Sequence, residues 1–258
     1  YDKPLVFSGE LNGIKLRRIH LEEDTGSLIH PSDKNYSLVD FNRAGVPLME
    51  LVTEPDIESG EQAVEFAKEL KLILRYLEIS DADMEKGQMR VEANISLTND
   101  QQPTTNNKLG TKVEVKNLNS FRAVGEAIDY GIKRQTEILE SGKKVIHETR
   151  GWDEIKKKTE HQRLKEESHD YRYFPEPDLP ILDSTNFNLE KLKVEVPELP
   201  AQKRERFKKE YDLKLEQAEI LVQERDLSKY FEESVSELLE EIKGEPKAIG
   251  LLFNYLSS

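Results

Sequence analysis

The sequence predicts an α+β fold that continues into an all-helical unit. Residues 89–97 and 111–118 alternate apolar and polar side chains with the period of two that a half-buried β-strand has. Residues 63–77 and 121–139 instead repeat apolar side chains every three to four residues, as an amphipathic helix does. From about Glu198 onward the chain is rich in Lys and Glu, nearly free of Gly and patterned for helices.

Both helices in the first part carry signals at their ends. Ser59 is a good N-cap, and Gln62 three residues later makes a capping box. The second helix follows Ser120, and Gly142 suits the position just after its last turn. We interpret the apolar stripes first as core faces. They comprise Ala63, Phe66, Ala67, Leu70, Ile73, Leu74 and Leu77, and then Phe121, Val124, Ile128, Ile132 and Leu139.

The two alternating stretches are joined by a polar loop at 98–110, so they are expected to form an antiparallel hairpin with one buried and one wet face. Residues 14–21, 36–41 and 145–150 are weaker strand candidates. Pro197 and Pro200 mark the change of composition, which predicts one domain at 1–197 and the start of a helical domain at 198–258. The chain starts at Tyr1 rather than Met and ends in an apolar stretch, so we expect a piece of a longer protein.

Composition excludes several classes of protein. The 258 residues contain no Cys, which excludes a disulfide-stapled module, a Cys nucleophile and any Cys-ligated metal site. No apolar run approaches the roughly 18 residues of a membrane span. The 38 Lys and Arg against 51 Asp and Glu give a net charge of −13, which argues against nucleic-acid binding by the chain as a whole. Residues 101–150 are the exception, with nine basic and six acidic side chains, and would attract phosphate locally.

Common catalytic motifs are absent. The chain has no GxxxxGK[ST], GxGxxG, HExxH or GxSxG sequence, and its five His residues show no ligand spacing. Nucleotide binding by a P-loop, zinc proteolysis and serine hydrolysis are therefore not indicated.

The wet face of the predicted hairpin carries charged side chains of both signs. They are Arg90, Glu92, Asn94, Lys112, Glu114 and Lys116. Carboxylates bind Mg²⁺ and Lys or Arg neutralise phosphate oxygens, so this face suits a metal–phosphate ligand. Ordinary cross-strand ion pairs, each worth roughly 0.2–1 kcal/mol, fit the same residues and are favoured on this evidence alone.

Glu50 stands in an apolar run (VPLMELV), where a carboxylate has to be neutralised, paired or bound to a metal, unless it lies on the exposed face of an edge strand. Glu54 and Asp56 flank a proline and more simply form a turn before the first helix. In residues 170–180 (DYRYFPEPDLP), Arg172 between two tyrosines could grip a phosphate, a base or a partner subunit. That segment could equally be a strap packed on the sheet.

Six stretches together resemble one family, the B subunits of the aspartyl/glutamyl-tRNA(Asn/Gln) amidotransferase (GatB/GatE family). They are RIHLEEDTG (18–26), SLVDFNRAGVPLMELVTEPDI (37–57), MEKGQMRVEANISL (84–97), VEVKNLNSFRAV (113–124), ETRGWDE (148–154) and DYRYFPEPDLP (170–180). They occur in family order and cover most of residues 14–180.

This resemblance implies an α+β cradle with an antiparallel or mixed sheet, related to glutamine synthetase and followed by helical domains. It implies a cytoplasmic ligase subunit that uses ATP and Mg²⁺ to phosphorylate the side-chain carboxylate of misacylated Glu-tRNA(Gln) or Asp-tRNA(Asn). Ammonia from an amidase A subunit then displaces phosphate, and a small C subunit holds A and B together. No membrane is involved.

The resemblance also implies site residues. A Mg²⁺ ion is held in the family by carboxylates that align with Glu23 and Glu50; its other ligands lie in an N-terminal ExH segment that this chain does not contain. The main tRNA-binding tail is also absent, so we expect the chain to be inactive alone.

We further expect Arg90, Glu92 and Lys116 to act in catalysis facing the ATP phosphates. Lys112 and Arg172 would add cationic contacts to the cofactor, and Arg172 could reach the substrate side or a partner. Asn117 and Asn119 would shape the following turn. Two alternatives remain: a non-catalytic scaffold that docks an amidase and a tRNA, and a glutamine synthetase relative acting on a free amino acid.

Overall fold

The computed structural model describes residues 4–31, 34–97, 109–164, 180, 182, 184–242 and 246–257. Its contacts divide the chain into two compact units. One is Tyr1–Ala67 with Arg90–Asn186, and the other is Lys68–Met89 with Phe187–Ser258. The units interleave in sequence, whereas the change of composition at Pro197 and Pro200 predicts a single boundary after residue 197; that boundary stays a prediction.

The first unit contains two small antiparallel sheets near its N-terminus. Strands β1 (Gly9–Leu11), β2 (Ile14–Glu23) and β5 (Pro47–Thr53) form one sheet in the order β1-β2-β5, and β3 (Ser27–Ile29) pairs with β4 (Leu38–Asp40). Asn12 and Gly13 connect β1 to β2 with φ values of 50° and 76°. Two positive φ values match a two-residue turn whose twist suits a hairpin.

A four-stranded mixed sheet forms the centre of the first unit. Its strands are β6 (Val91–Ile95), β7 (Val113–Leu118), β8 (Glu148–Asp153) and β9 (Lys158–Leu164), in that order. Strands β6 and β9 run antiparallel to their neighbours, and β7 and β8 run parallel. The parallel pair requires a crossover, which is made by helix α2 (Phe121–Glu140). Buried side chains of α2, including Val124 and Ala127, cover one face of this sheet.

The remaining helices are α1 (Gly60–Tyr76), α3 (Leu189–Glu195), α4 (Pro200–Tyr211), α5 (Leu215–Gln223), α6 (Arg225–Ile242) and α7 (Pro246–Leu256). The second unit has its own apolar core, in which the fully buried rings of Phe207 and Phe231 lie with centroids 5.8 Å apart. Within this unit, Arg204 on α4 forms ion pairs with Glu69 at 2.7 Å and with Glu219.

The α+β class, the mixed sheet and the helical C-terminal part are confirmed. The relation to glutamine synthetase stays a prediction. Ser120 caps α2 by accepting from the N–H of Ala123 at 3.1 Å, and Gly142 follows the helix with a φ of 75°. Only half of the expected capping box forms at α1. Ser59 Oγ accepts from Gln62 N at 3.1 Å, but Gln62 Oε1 accepts from Glu58 N at 2.8 Å.

Candidate functional site

The face of the four-stranded sheet opposite α2, which we call the polar face, brings together several of the residues expected to bind phosphate. Lys116 Nζ donates to Glu92 Oε1 at 2.9 Å and lies 3.9 Å from Glu114 Oε1. Thr149 Oγ1 donates to the other oxygen of Glu114 at 2.8 Å. The Lys116 side chain is one-third exposed. The face therefore presents an accessible ammonium held between two carboxylates.

Strict alternation of side chains along β7 would place Leu118 on the polar face, but one extra residue in β7 interrupts the alternation. Val91 pairs with Leu118 and Ala93 with Val115, so Glu92 alone opposes Lys116 and Asn117. Two residues against one is a β-bulge. Asn117 has a φ of 63°, and Leu118 is 3% exposed. Asn117 thus lies inside the strand and not in the following turn, where we expect it from the sequence; Asn119 does lie between β7 and α2.

The bulge in β7 lies beside Gly151 of β8, where two neighbouring side chains come close to the backbone. Gly151 pairs with Lys116 in the parallel ladder. A Cβ at Gly151 would overlap Nε2 of Gln162 and lie 3.0 Å from Nδ2 of Asn117. Because φ at Gly151 is not in the left-handed region, space rather than backbone conformation favours glycine there. The side chain of Asn117 therefore lies over β8, beside Lys116.

Arg90 lies near a buried carboxylate, that of Asp24. Asp24, 7% exposed, is 2.7 Å from Nε of Arg43 and 3.9 Å from Nη2 of Arg90. Asp24 also accepts from the N–H of Thr25 through Oδ1. The Arg90 side chain is itself 63% exposed, so it is open to an anionic ligand. The only sequence signal for Asp24 was its place in the HLEED motif.

Glu23 and Glu50 lie on neighbouring antiparallel strands but not on the same face. Glu50 pairs directly with His20, and Glu23 pairs with Pro47. Side chains alternate along a strand, so Glu23, three residues after His20, points to the other face from Glu50. Among the described residues, no three His, Asp or Glu side chains are grouped to hold a metal ion. Glu23 and Glu50 alone therefore do not fit a Mg²⁺ site.

Glu50 lies on the edge strand β5, 40% exposed and 3.7 Å from Nη2 of Arg18. This is the simpler of the two interpretations that its sequence context left open. Opposite it, His20 is 5% exposed. Burial, and after it the charge of Arg18, lower the pKa of His20 from its usual value, so the imidazole is neutral at pH 7.

The other expected residues are less central. Lys112 is exposed and directly precedes β7. Arg172 lies outside the described residues. Glu54 forms a two-pronged ion pair with Arg17 at 2.8 and 3.0 Å, and Asp56 accepts from the N–H of Lys15 at 3.1 Å. These two carboxylates therefore stabilise the segment that leads from β5 to α1.

The α2-facing side of the sheet holds a second charged cluster around Glu148, which is 4% exposed. Arg134 and Arg150 donate to its Oε1 at 2.5 and 3.0 Å, and His161 Nδ1 lies 2.6 Å from its Oε2. Burial raises the pKa of Glu148, but the hydrogen bonds with His161 and Arg150 and the nearby positive charges lower it by more. The pKa therefore lies below its usual value. Arg134 belongs to α2, so the ion pairs of the buried Glu148 link this helix to the sheet.

Comparison with known proteins gives the family. Residues 1–190 match the model of the GatB/GatE catalytic domain. The chain belongs to the GatB/GatE family. Relatives named as B subunits of the aspartyl/glutamyl-tRNA(Asn/Gln) amidotransferase include those of Thermodesulfovibrio yellowstonii, 48% identical over 95% of this chain, and Gloeothece citriformis, 46% identical over 92%. That of Caldicellulosiruptor saccharolyticus is 49% identical over 91%.

The chain spans about half the length of these GatB/GatE relatives, covering 50 or 51% of each. No helix in the described part of the chain is long and apolar enough to cross a membrane. The match to the catalytic domain includes both the polar face and the Asp24 cluster, because both lie within residues 1–190.

Proposed function

We propose that this chain is the catalytic part of a GatB-type amidotransferase subunit that works in the cytoplasm with an amidase A subunit and a small C subunit. The complex would use ATP and Mg²⁺ to convert Glu-tRNA(Gln), Asp-tRNA(Asn) or both into the amidated aminoacyl-tRNA, with glutamine as amido donor. Membership of the GatB/GatE family, together with the names of relatives 46–49% identical, supports this proposal.

The chemistry explains why a phosphate-binding face is needed. A carboxylate does not react with ammonia near neutral pH, because oxide is too poor a leaving group. Attack of the side-chain carboxylate oxygen on the γ-phosphorus of ATP breaks the bond to ADP and forms an acyl phosphate. Ammonia then attacks the carbonyl carbon, phosphate leaves and one proton is released. Protein groups contribute mainly by positioning the reactants and by stabilising the charge on the transferring phosphoryl group.

Lys116 is the described residue that best fits contact with phosphate oxygens. Its ammonium is accessible, and its hydrogen bond to Glu92 holds it in one place on the polar face. This single observation carries the assignment. Arg90, which is exposed, would contact the same ligand from the start of β6, while Lys112 and Arg172 would add cationic contacts. Glu92 acts by holding Lys116.

Mg²⁺ supplies charge neutralisation to phosphoryl transfer when it is bound. Glu23 and Glu50 would contribute carboxylates only if the strands rearranged or other ligands joined one of them, because they lie on opposite faces of their sheet. We therefore expect this chain alone to bind Mg²⁺ weakly and to be inactive.

The test uses the full-length parent subunit assembled with its A and C subunits. The measured quantity is ATP-dependent formation of Gln-tRNA(Gln) or Asn-tRNA(Asn) from the misacylated tRNA, with glutamine or ammonium as donor. Product formation that requires ATP supports the proposal. Amidation without ATP cleavage, with the parent subunit needed only for tRNA and amidase binding, would make it a scaffold. Activity on free glutamate without tRNA would make it a glutamine synthetase relative.

A further inference from the structure

Asn117 adopts a backbone conformation that is unusual for its position. Its φ of 63° falls in the left-handed region, although it lies in β7 between two paired neighbours. Residues other than glycine rarely adopt this region, and Asn and Asp do so more readily than the others. A β-branched residue, which strands usually favour, fits this region poorly.

This conformation changes which side chains reach the polar face. Val113 and Val115 are buried, and strict alternation after them would bury residue 117 and put Leu118 on the polar face. With the bulge, Lys116 keeps its hydrogen bond to Glu92 while Leu118 returns to the core. The left-handed conformation of Asn117 therefore lets Lys116 stay on the accessible polar face while Leu118, two positions later, is buried.

The side chain of Asn117 lies close to Gly151, the residue of β8 that pairs with Lys116. Its Nδ2 lies where a Cβ at Gly151 would make close contact, at 3.0 Å, and Gly151 is the residue that pairs with Lys116. The bulge in β7 and the absence of a side chain at Gly151 thus fit each other. Both lie next to Lys116, on the face of the sheet away from α2.

We propose that Asn117 is a positioning residue whose left-handed backbone aims Lys116 at its phosphate ligand. This inference rests on the proposed function, in which Lys116 contacts phosphate oxygens. Asn117 itself touches no reacting atom. The backbone conformation, rather than the amide group, is the essential feature, so glycine at this position preserves function and valine does not.

The experiment compares Asn117→Val with the matched control Asn117→Gly in the full-length subunit assembled with its partners. Asn117→Val is expected to raise the KM for ATP about tenfold with a smaller change in kcat, and Asn117→Gly to stay within about twofold of wild type. Affinity for a non-hydrolysable ATP analogue, measured by calorimetry, is expected to follow KM. Hydrogen exchange in a peptide covering Val113–Leu118 is expected to be faster in Asn117→Val only.

A double-mutant cycle with Lys116→Met separates positioning from general damage. If Asn117 acts through Lys116, Asn117→Val changes analogue affinity less than about twofold when Lys116 is already Met. A full tenfold effect in that background, or equal losses in Asn117→Gly and Asn117→Val, would overturn the inference. If Lys116→Met itself leaves affinity unchanged, the assignment of Lys116 fails, and the inference fails with it. If Lys116→Met weakens affinity and Asn117→Val does not, only the inference is wrong.

Discussion

Lys116 Nζ donates a hydrogen bond of 2.9 Å to Oε1 of Glu92 across the β6–β7 pair, on the face of the sheet that α2 leaves uncovered. Replacement of Glu92 by Gln removes the charge that holds the ammonium while keeping the shape. Because the Glu92 side chain is about half exposed, we expect only a two- to fivefold loss in kcat/KM for ATP, equivalent to about 0.5–1 kcal/mol. Steady-state kinetics of the assembled enzyme measure this, with the exposed Glu154→Gln as control. An unchanged value would remove Glu92 from the site.

The ion pair between Asp24 and Arg43 links the end of β2 to the turn before β5. Since Asp24 is 7% exposed, Asp24→Asn is expected to lower the free energy of unfolding by about 1–3 kcal/mol by leaving the guanidinium without its charged partner. Denaturant unfolding measures the change. Asp40→Asn is the control, because Asp40 accepts one exposed hydrogen bond from Asn42 N. Equal effects of the two variants would contradict a special role for Asp24.

The lowered pKa of Glu148 predicts that the free energy of unfolding depends on pH. Its pKa is lower in the folded protein than in the unfolded chain, where a glutamate titrates near about 4.3. Its stabilising contribution is therefore fully present above that value and is lost as the pH falls through the folded pKa. We expect the difference in unfolding free energy between wild type and Glu148→Gln to be larger above about pH 5 than in acid. The difference should shrink below about pH 5, and one that grows in acid would contradict the cluster.

Helix α1 offers a matched pair of substitutions. Glu69 on α1 is 6% exposed and accepts two hydrogen bonds from Arg204, at 3.0 and 2.7 Å. Burial lowers the pKa of Arg204, but its hydrogen bonds with Glu69 and Glu219 raise it by more, so Arg204 is charged at any ordinary pH. Glu69→Gln is expected to destabilise the protein by about 1–3 kcal/mol, with Glu219 still present as a partner.

The exposed Glu65→Gln, one turn earlier on α1, should change stability by less than about 0.5 kcal/mol. Thermal or denaturant unfolding of both variants measures the contrast. Similar stabilities would mean that the buried ion pair contributes nothing specific.

Local signals in the sequence were sufficient where the structure depends on neighbours along the chain. Ser120 and Gly142 predicted both ends of α2 because caps are made within one turn. The alternation of β6 and β7 predicted their pairing and the polar face. Strands β5 (PLMELVT) and β9 (KTEHQRL) lack alternation and owe their conformation to the strands they pair with. For β5 the partner is β2. For β9 the partner is β8, where Arg150 donates to Thr159.

The parts of the site that sequence patterns missed depend on register and on distant segments. The bulge at Asn117 breaks a pattern that looked regular, and it is visible only once Val91 is paired with Leu118. Asp24 and Arg43 lie on either side of the β3–β4 hairpin in the chain, and their spacing in the sequence alone does not specify that they form an ion pair. Register also separates Glu23 from Glu50, although both belong to family motifs. Their metal role, like the phosphate role of Arg90 and Lys112, stays a prediction.

The most direct test of the proposed function is the rate of ADP formation by the full-length subunit assembled with its A and C partners. It is measured with misacylated and with uncharged tRNA, in wild type and in Lys116→Met. We expect ADP formation that requires the misacylated tRNA and falls by at least about tenfold in Lys116→Met. ADP formation that is absent in wild type, or unchanged by Lys116→Met, would contradict the proposed function.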